Sequence, residues 1–271
     1  MNSDHTLHVD GNRQYLTFPT LDRYSELVHL FTTRHGGVST GNVSTWNLGE
    51  YGQDTPENIL RNYMILADTI GISVGQFVRT QQTHTSNIRI VTAEDKGKGI
   101  TRERDYTDID GLVTSERGIA IVTTHADCNA VFFFDPVKQV IGLAHSGWRG
   151  TLRGISSEMV KIMRSEYGCD PGDIIAGTGP ALCQDCFEVD RDVAEDFLQK
   201  DPSYRDLMYE RGIKFYIDLK GIIRRDLTAA GLKEDNLMDM VLCTKCHKDD
   251  FFSHRGHHGK RGLMAAVMML K

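Results

Sequence analysis

Six short apolar runs with strand character follow one another between Phe77 and His145. The runs are FVRTQQ, NIRIVT, DGLVTS, IAIVTT, AVFFFD and VIGLAH. Several strands that are neighbours along the chain argue against a purely alternating βαβ sheet. The pattern therefore predicts an α+β fold (mixed α/β) in which mixed β-sheets are flanked by helices.

Helical patterns surround this β-rich segment. The stretch TPENILRNYMILADTIG predicts a helix with Thr55 as N-cap, Pro56 at its first position and Gly71 as its stop. The stretch TLRGISSEMVKIMRSEYG predicts one amphipathic helix that ends at Gly168. Two more helices are expected around residues 190–199 and 217–230.

The remaining apolar runs complete the organisation. VHLFTT and DIIAGTG are predicted strands, whereas GLMAAVMML fits either a last strand or a buried helix. No repeat or Pro/Ser-rich linker interrupts the pattern. We therefore expect one domain over residues 1–271, with residues 1–25 as a short N-terminal extension.

Composition bears on location and partners. The first residues, MNSDHTLHVD, lack the pattern of a secretory leader, and the longest apolar run, LMAAVMML, is too short to span a bilayer. We expect a cytoplasmic protein whose six cysteines are thiols or metal ligands. With 31 basic and 37 acidic residues, no binding to nucleic acid or membranes is expected. The basic stretch His254–Arg261 is interpreted as a solvated loop.

Three residues at ends of the β-runs carry candidate chemistry: His84, Cys128 and His145. Two imidazoles and one thiolate form a shell for Zn²⁺ that leaves a fourth position for water or substrate. The same residues also fit a metal-free hypothesis, in which Cys128 is a nucleophile and His145 is its base. Spacing alone does not show whether the three residues meet.

Four further cysteines form two C-x-x-C pairs, Cys183 with Cys186 and Cys243 with Cys246. About 56 residues separate the pairs, whereas zinc ribbons usually have a spacing of ~15 to 20 residues. Reduced structural thiols are therefore favoured over a Cys₄ metal site.

Two arginines stand beside glycines. Arg34 lies in TTRHGGVS, and Arg149 lies in SGWRGTLRG directly before a predicted helix. Arginine forks and helix N-termini both attract phosphate and other oxyanions. Both motifs also fit an ordinary turn with an exposed arginine.

Seven motifs occur in a recognisable order: RHGGVS, QTHTSN, DGLVTS, HADCNAV, GLAHSGWRGT, GTGPALCQDCFEVD and FFSHRG with GLMAAV after it. Together they resemble the laccase-domain family, also called the YfiH-like or multicopper polyphenol oxidase family. The resemblance runs from about residue 30 to the end of the chain. HADC and AHSGWRG in tandem are its most specific part.

The resemblance implies a YfiH-like fold and a mononuclear metal site whose catalytic ligands are His84, Cys128 and His145. It implies phosphorolysis of adenosine, inosine, guanosine and methylthioadenosine to free base and ribose 1-phosphate, together with deamination of adenosine. The small-molecule partners are then purine nucleosides and phosphate. The implied substrate-binding residues are Arg34, Asn47, Gln82, Asp110, Asp127 and Arg149. The oligomeric state stays open.

The metal is expected to be zinc, with copper as an alternative. None of the eleven histidines lies two positions from another, so the H-x-H pairs of a trinuclear copper cluster are missing. No methionine lies near Cys128 in the sequence, as a blue-copper axial ligand would. The alternatives to a zinc enzyme are a metal-free Cys–His hydrolase or amidase and a copper-dependent polyphenol oxidase.

Two positions depart from the family pattern. His125 stands before ADC, where relatives commonly have a small or apolar residue, and Cys183 occupies a position that is often not cysteine. His125 is interpreted as a strand-edge residue in preference to an extra ligand.

Overall fold

A computed structural model describes residues 5–49 and 54–271. Within that part of the chain the strands are β1 (Thr6–Asp10), β2 (Arg13–Thr17), β3 (Leu27–Thr32), β4 (Phe77–Arg79), β5 (Ile88–Ile90), β6 (Gly111–Thr114), β7 (Ala120–His125), β8 (Asn129–Asp135), β9 (Val140–Ser146), β10 (Ile175–Thr178), β11 (Glu188–Val189), β12 (Met208–Arg211), β13 (Lys214–Ile217), β14 (Leu237–Asp239) and β15 (Met264–Leu270). The α-helices are α1 (Pro56–Ile70), α2 (Trp148–Leu152), α3 (Ile155–Tyr167), α4 (Arg191–Lys200) and α5 (Leu219–Ala229).

The strands form two large sheets and a small one. The first sheet has the order β1-β2-β3-β15-β7-β4, the second β14-β10-β8-β9-β6-β5, and the third β11-β13-β12. The pairs β4 with β7, β5 with β6 and β10 with β14 are parallel, and the other pairs are antiparallel. This arrangement confirms the predicted α+β class with mixed sheets.

The two large sheets pack face to face, with helices on their outer sides. Successive side chains of a strand point to opposite faces. In β8, Phe132 and Phe134 enter the core between the sheets, while Val131 and Phe133 pack in the core that contains α3 residues such as Met159. β15 alternates in the same way between the central core and the core against α1. Burial on both faces explains why these strands are continuously apolar.

Helix α1 begins and ends as its sequence predicts. The Thr55 side chain accepts a hydrogen bond from the Asn58 amide, and Gly71 closes the helix with a φ of 72°. The prediction of a single helix after GWRG is wrong, because the segment forms two helices. Gly154 adopts a left-handed conformation with a φ of 77°, and it separates α2 from α3.

Both ends of the described chain join the first sheet. Residues 6–17, which the sequence assigns to an N-terminal extension, form the hairpin β1–β2, and β2 pairs with β3. The run GLMAAVMML provides β15, which pairs with β3 on one side and β7 on the other. Among the described helices, none has both the length and the apolar character that crossing a bilayer requires.

Candidate metal centre and its cavity

The hairpin β8–β9 brings Cys128 and His145 to the same end of the second sheet. In the antiparallel register Asn129 faces Ser146 and Ala130 faces His145, and Cys128 directly precedes Asn129. The head of one strand and the tail of the next therefore meet, as any antiparallel hairpin requires. This register explains why the two residues occupy corresponding ends of neighbouring apolar runs.

His84 reaches the same point from the loop between β4 and β5. Its backbone has a φ of 65°, a conformation that costs non-glycine residues on the order of 1–3 kcal/mol. The carboxylate of Asp110 holds this loop, because it accepts hydrogen bonds from the amides of Thr83, His84 and Thr85 at 2.8–3.1 Å. The Thr85 hydroxyl donates a further bond of 2.8 Å to Asp110.

Asp110 also orients His145. The buried carboxylate accepts a 2.8 Å hydrogen bond from His145 Nδ1. Because a carboxylate only accepts, Nδ1 carries the proton, and Nε2 is the nitrogen that can bind a metal. A single carboxylate thus fixes the ring of one histidine and the backbone of the other. Burial opposes ionisation of Asp110, but the His145 hydrogen bond lowers its pKa.

The three candidate ligands converge. The metal-binding atoms of His84, Cys128 and His145 lie within 4.8 Å of one another, and His84 Nε2 is 3.9 Å from Cys128 Sγ. A tetrahedral zinc site with ordinary bond lengths separates nitrogen and sulfur ligands by about 3.6 Å. The donor set and its spacing therefore fit one metal ion. We refer to these residues as the His–Cys–His cluster.

Gly147 lies against the His–Cys–His cluster, where there is little room for a side chain. A Cβ atom at this position would lie 2.8 Å from His84 Cδ2 and 3.0 Å from Cys128 Sγ. A Cβ atom does not fit at 2.8 Å, and at 3.0 Å the sulfur would have to shift, so a larger residue at this position would displace the candidate ligands.

The cluster polarises its own thiol. Burial opposes ionisation of Cys128, but the positive charge of His145 outweighs it, and the pKa of Cys128 falls to about 6. Burial likewise opposes protonation of His145, but attraction to Cys128 and the hydrogen bond to Asp110 raise the pKa of His145 to about 9. At neutral pH the sulfur is therefore a thiolate, the form that binds metals and attacks electrophiles.

His125 lies beside the cluster at the end of β7. Its Nδ1 is 3.2 Å from the Cys128 carbonyl, which only accepts, so Nδ1 donates. Its Nε2 then accepts from the Thr123 hydroxyl at 2.7 Å. Both ring nitrogens are occupied by these bonds, and burial lowers the pKa of His125. The ring supports the Cys128 backbone as a neutral hydrogen-bonding group.

A cavity of about 640 Å³ opens onto the His–Cys–His cluster. This volume lies within the range of small-molecule sites. Its apolar walls are Ala126, Trp148, Leu182, Phe187, Leu219 and Leu263. Its basic groups, besides the cluster histidines, are Arg79, His254, Arg255 and Arg261. The arrangement suits a ligand with a flat apolar part and a negatively charged part.

Two of the residues implied to bind substrate, Gln82 and Asp127, line this cavity. The Gln82 amide exchanges two hydrogen bonds with the Thr124 backbone, at 2.7 and 2.8 Å. The Asp127 carboxylate accepts bonds of 2.7 Å from the Thr244 hydroxyl and the Arg255 amide.

The other implied substrate residues are Arg34, Asn47, Asp110 and Arg149, and in the described part of the chain they lie outside the cavity walls. Arg34 donates two hydrogen bonds to the Ser44 carbonyl and one to the Lys248 carbonyl. Asn47 is buried and accepts from the Leu263 amide. Arg149 is exposed and lies over the Trp148 ring. Of the four, Asp110 and Asn47 bond to residues that line the cavity, since Asp110 accepts from the His84 amide and Asn47 from the Leu263 amide.

Arg255 and Arg261 are cavity residues that the sequence analysis missed. The stretch His254–Arg261 is largely exposed, as a solvated loop should be, yet three of its residues line the cavity. Burial lowers the pKa of Arg261, while Asp127 and Cys128 raise it. The motif FFSHRG is the signal that the sequence offers, but the basic composition of this stretch predicts a solvated loop.

The four cysteines of the two C-x-x-C pairs are free thiols that also converge, which their sequence spacing does not predict. The sulfur atoms of Cys183, Cys186, Cys243 and Cys246 lie within 4.8 Å of one another. Sequence spacing misleads here because β10 and β14 are parallel neighbours, and a bridge between Ala181 and Cys243 continues their pairing. We refer to these residues as the four-cysteine cluster.

Comparisons with known proteins identify relatives of the chain in sequence and in fold. Residues 28–271 match the family model described as multi-copper polyphenol oxidoreductase laccase. The chain is 34% identical to purine nucleoside phosphorylase YlmD of Bacillus subtilis over 91% of this chain and 89% of that relative. It is 32% identical to adenosine deaminase RL5 of an unknown prokaryotic organism, over 85% of this chain and 89% of RL5. The crystal structure of Bacillus licheniformis hypothetical protein YfiH superposes with a TM-score of 0.91 at 30% identity, covering 98% of this chain and 99% of YfiH.

Proposed function

Because this chain belongs to the multi-copper polyphenol oxidoreductase laccase family, we propose that it is a zinc-dependent purine nucleoside phosphorylase that also deaminates adenosine. Its substrates are adenosine, inosine, guanosine and methylthioadenosine, each with phosphate. The observation that carries the proposal is the convergence of His84, Cys128 and His145 beside a cavity with apolar and basic walls. The relatives named as a phosphorylase and a deaminase support the same chemistry.

Zinc is the metal that this donor set favours. Two imidazoles and one thiolate leave one of four tetrahedral positions for a reactant, which is the ligand count of catalytic zinc. Among the described walls of the cavity there is no methionine to serve as the axial ligand of a blue-copper site. When bound, zinc supplies Lewis-acid polarisation of an oxygen atom. Asp110 contributes by holding the proton on His145 Nδ1, so that Nε2 would be the nitrogen that binds the ion.

Different walls of the cavity would bind different parts of the substrates. Trp148, Phe187 and Leu182 offer an apolar surface against which a purine ring can pack. Arg255 and Arg261 offer guanidinium groups for phosphate, because arginine forks match its oxygens. Their positive charge balances the dianion as it enters a cavity that already contains the Cys128 thiolate and the Asp127 carboxylate.

Phosphorolysis then proceeds as a displacement at the anomeric carbon. A phosphate oxygen bonds to C1′ while the bond from C1′ to the purine nitrogen breaks, and the electron pair of that bond passes to the base. The base takes up a proton, which balances the proton that the attacking hydrogen phosphate gives up, and ribose 1-phosphate is released. The two arginines hold the attacking phosphate, which lowers the entropy cost of its approach. Deamination replaces the amino group at C6 of adenosine with oxygen from water and releases ammonia.

A second candidate function is a metal-free Cys–His hydrolase. The lowered pKa of Cys128 and the chain from Asp110 through His145 to Cys128 favour it, because a nucleophile, a base and an orienting carboxylate follow in order. Such a mechanism needs only one histidine beside the sulfur. It assigns no task to His84, whose Nε2 lies 3.9 Å from that sulfur. We therefore favour the metal site.

The test is nucleoside turnover by the full chain, purified without chelator, with and without inorganic phosphate. We expect free base and ribose 1-phosphate from inosine only when phosphate is present, and inosine from adenosine without it. Base release that ignores phosphate would contradict a phosphorylase. Turnover of amides or esters by protein without metal would support the hydrolase, and oxidation of phenols with copper would support the polyphenol oxidase.

The phosphate assignment has a matched pair of variants. Arg261→Gln should raise the KM for phosphate at least about tenfold, since a charged hydrogen bond contributes roughly 1.5–3 kcal/mol. The neighbouring exposed Lys260→Gln should leave that KM unchanged. Equal effects of the two variants would remove the assignment of phosphate to Arg261.

A further inference from the structure

The four-cysteine cluster joins two loops at one end of the second sheet. Cys183 and Cys186 follow β10, and Cys243 and Cys246 follow β14. These parallel strands pair through Thr178 and Asp239. The bridge between Ala181 and Cys243 carries the pairing up to the first cysteine of each loop. The convergence therefore follows from the sheet.

The spacing of the sulfur atoms matches a single tetrahedral ion. Cys186 Sγ lies 3.6 Å from Cys246 Sγ, and all four sulfur atoms lie within 4.8 Å of one another. A zinc ion with four thiolates at ordinary bond lengths separates its sulfur atoms by about 3.8 Å. Two disulfides would explain closeness within two pairs, whereas here every sulfur is close to the other three.

Backbone amides point at one of these sulfurs. Cys243 Sγ accepts hydrogen bonds from the amides of Cys183 and Cys246, at 3.4 and 3.5 Å. The second bond lies within a C-x-x-C segment, and the first crosses between the loops. Amide donors stabilise negative charge on sulfur, as a metal-bound thiolate requires.

We propose that Cys183, Cys186, Cys243 and Cys246 bind a second metal ion, a structural Zn²⁺. Four thiolates complete a tetrahedral shell, so this ion has no position left for a reactant. The site is separate from the His–Cys–His cluster and does not depend on which reaction occurs in the large cavity.

The second ion ties together the segments that hold Asp127. Leu182, next to Cys183, donates its amide to the Asp127 carbonyl at 3.1 Å. Thr244, next to Cys243, donates its hydroxyl to the Asp127 carboxylate at 2.7 Å. Asp127 has a φ of 87° and directly precedes Cys128. Such a backbone conformation persists only where neighbouring structure holds it.

Metal analysis of the full chain tests the proposal. We expect about two zinc ions per chain in the natural protein, one in Cys186→Ser/Cys246→Ser and one in His84→Ala. Cys169→Ala, which removes a buried cysteine outside both clusters, should keep two. A natural protein with one zinc that His84→Ala removes and the double serine variant keeps would overturn the second site. Loss of zinc only in the double serine variant would instead overturn the first.

Substitution with Co²⁺ gives a second measurement, because the absorption bands of the bound cobalt identify its ligands. His84→Ala reconstituted with Co²⁺ should show the intense thiolate-to-cobalt bands of a tetrahedral four-sulfur site. A spectrum without those bands, or disulfides among the four cysteines in protein purified under reducing conditions, would contradict the proposal. Hydrogen exchange supplies a further readout, because the Leu182 amide should exchange faster in the double serine variant than in Cys169→Ala.

Discussion

The two cysteine-containing clusters differ in what positions them and in what they leave open. The His–Cys–His cluster takes two ligands from the ends of a rigid hairpin and one from a loop fixed by Asp110. The four-cysteine cluster takes all four from two loops that follow parallel strands. Each adjoins a cavity, of about 640 and 530 Å³ respectively. On the proposed metal sites, three ligands would leave the first ion a position for a reactant, whereas four ligands would leave the second ion none.

The comparison indicates that two features distinguish the proposed reactive site from the proposed structural one: the number of ligands and the residues that contact those ligands. In the first cluster the buried Asp110 carboxylate fixes the proton on His145 Nδ1, and the positive charge of His145 outweighs the burial of Cys128 and makes its sulfur a thiolate. In the second cluster burial raises the pKa of Cys183 and Cys186. Without a metal, those two sulfurs stay protonated and unreactive at neutral pH.

The largest expected effect comes from removing a ligand of the first cluster. Cys128→Ala should lower kcat/KM for inosine phosphorolysis at least about 10³-fold, the scale seen when a group that stabilises charge in the transition state is lost. Cys169→Ala is the matched control and should change kcat/KM less than about twofold. Steady-state assays of both variants check this. More than a tenth of the natural activity in Cys128→Ala would show that the thiolate is dispensable.

A second test concerns the carboxylate behind the first cluster. Asp110→Asn should weaken zinc binding there about 10- to 100-fold, the usual cost of losing a carboxylate partner of a metal-binding histidine. Asp108→Asn alters an exposed carboxylate that binds the Thr83 hydroxyl, and it should leave the affinity nearly unchanged. Chelator competition measures both. Equal affinities of the two variants would remove Asp110 from its positioning role.

Thiol reactivity contrasts the clusters in metal-free protein. Iodoacetamide attacks thiolates, so alkylation of Cys128 should increase as pH rises, with a midpoint near 6, since the pKa of Cys128 is about 6. Cys186, whose pKa burial raises, should react only at higher pH. In His145→Ala the Cys128 midpoint should rise by about two pH units, toward the ordinary thiol value. Peptide mass spectrometry follows each cysteine, and an unchanged midpoint in His145→Ala would contradict the ion pair.

The smallest expected effect comes from the contact between the two regions. Thr244→Val removes one of the two 2.7 Å hydrogen bonds to the Asp127 carboxylate, and it should lower the free energy of unfolding by about 1–3 kcal/mol. Both zinc ions should remain, and kcat/KM should fall less than about tenfold. Thr228→Val, on the exposed part of α5, is the control. Denaturant titration measures the free energy of unfolding of both variants. Equal values for Thr244→Val and Thr228→Val would show that the bond between Thr244 and Asp127 does not stabilise the fold.

Local signals in the sequence predict much of this fold. All six runs between Phe77 and His145 form strands, because each is apolar and bounded by turn residues. Helix α1 matches its prediction because Thr55 and Gly71 cap it. The break at Gly154 was missed, since a glycine inside a helical pattern does not reveal its φ. The ends of the apolar runs likewise indicate His84, Cys128 and His145 as candidates, although His84 lies in the loop after β4.

The features that the sequence does not predict depend on which strands and loops become neighbours in the fold. The four cysteines meet because β14 lies beside β10, and no spacing rule contains that neighbour relation. Arg255 and Arg261 reach the cavity through a loop whose exposed composition reads as solvent-facing. Arg34 has the opposite outcome. Its glycine-rich neighbours suggest a phosphate site, but its guanidinium donates to the backbone carbonyls of Ser44 and Lys248.

Zinc X-ray absorption of Cys186→Ser/Cys246→Ser compared with His84→Ala tests most directly whether two chemically different metal sites exist. The double serine variant should show zinc with one sulfur near 2.3 Å and the remaining ligands being nitrogen or oxygen near 2.0–2.1 Å. The His84→Ala variant should show four sulfur ligands. The same ligand shell in both variants, or no zinc in the double serine variant, would contradict the assignment of a three-ligand reactive site beside a closed structural one.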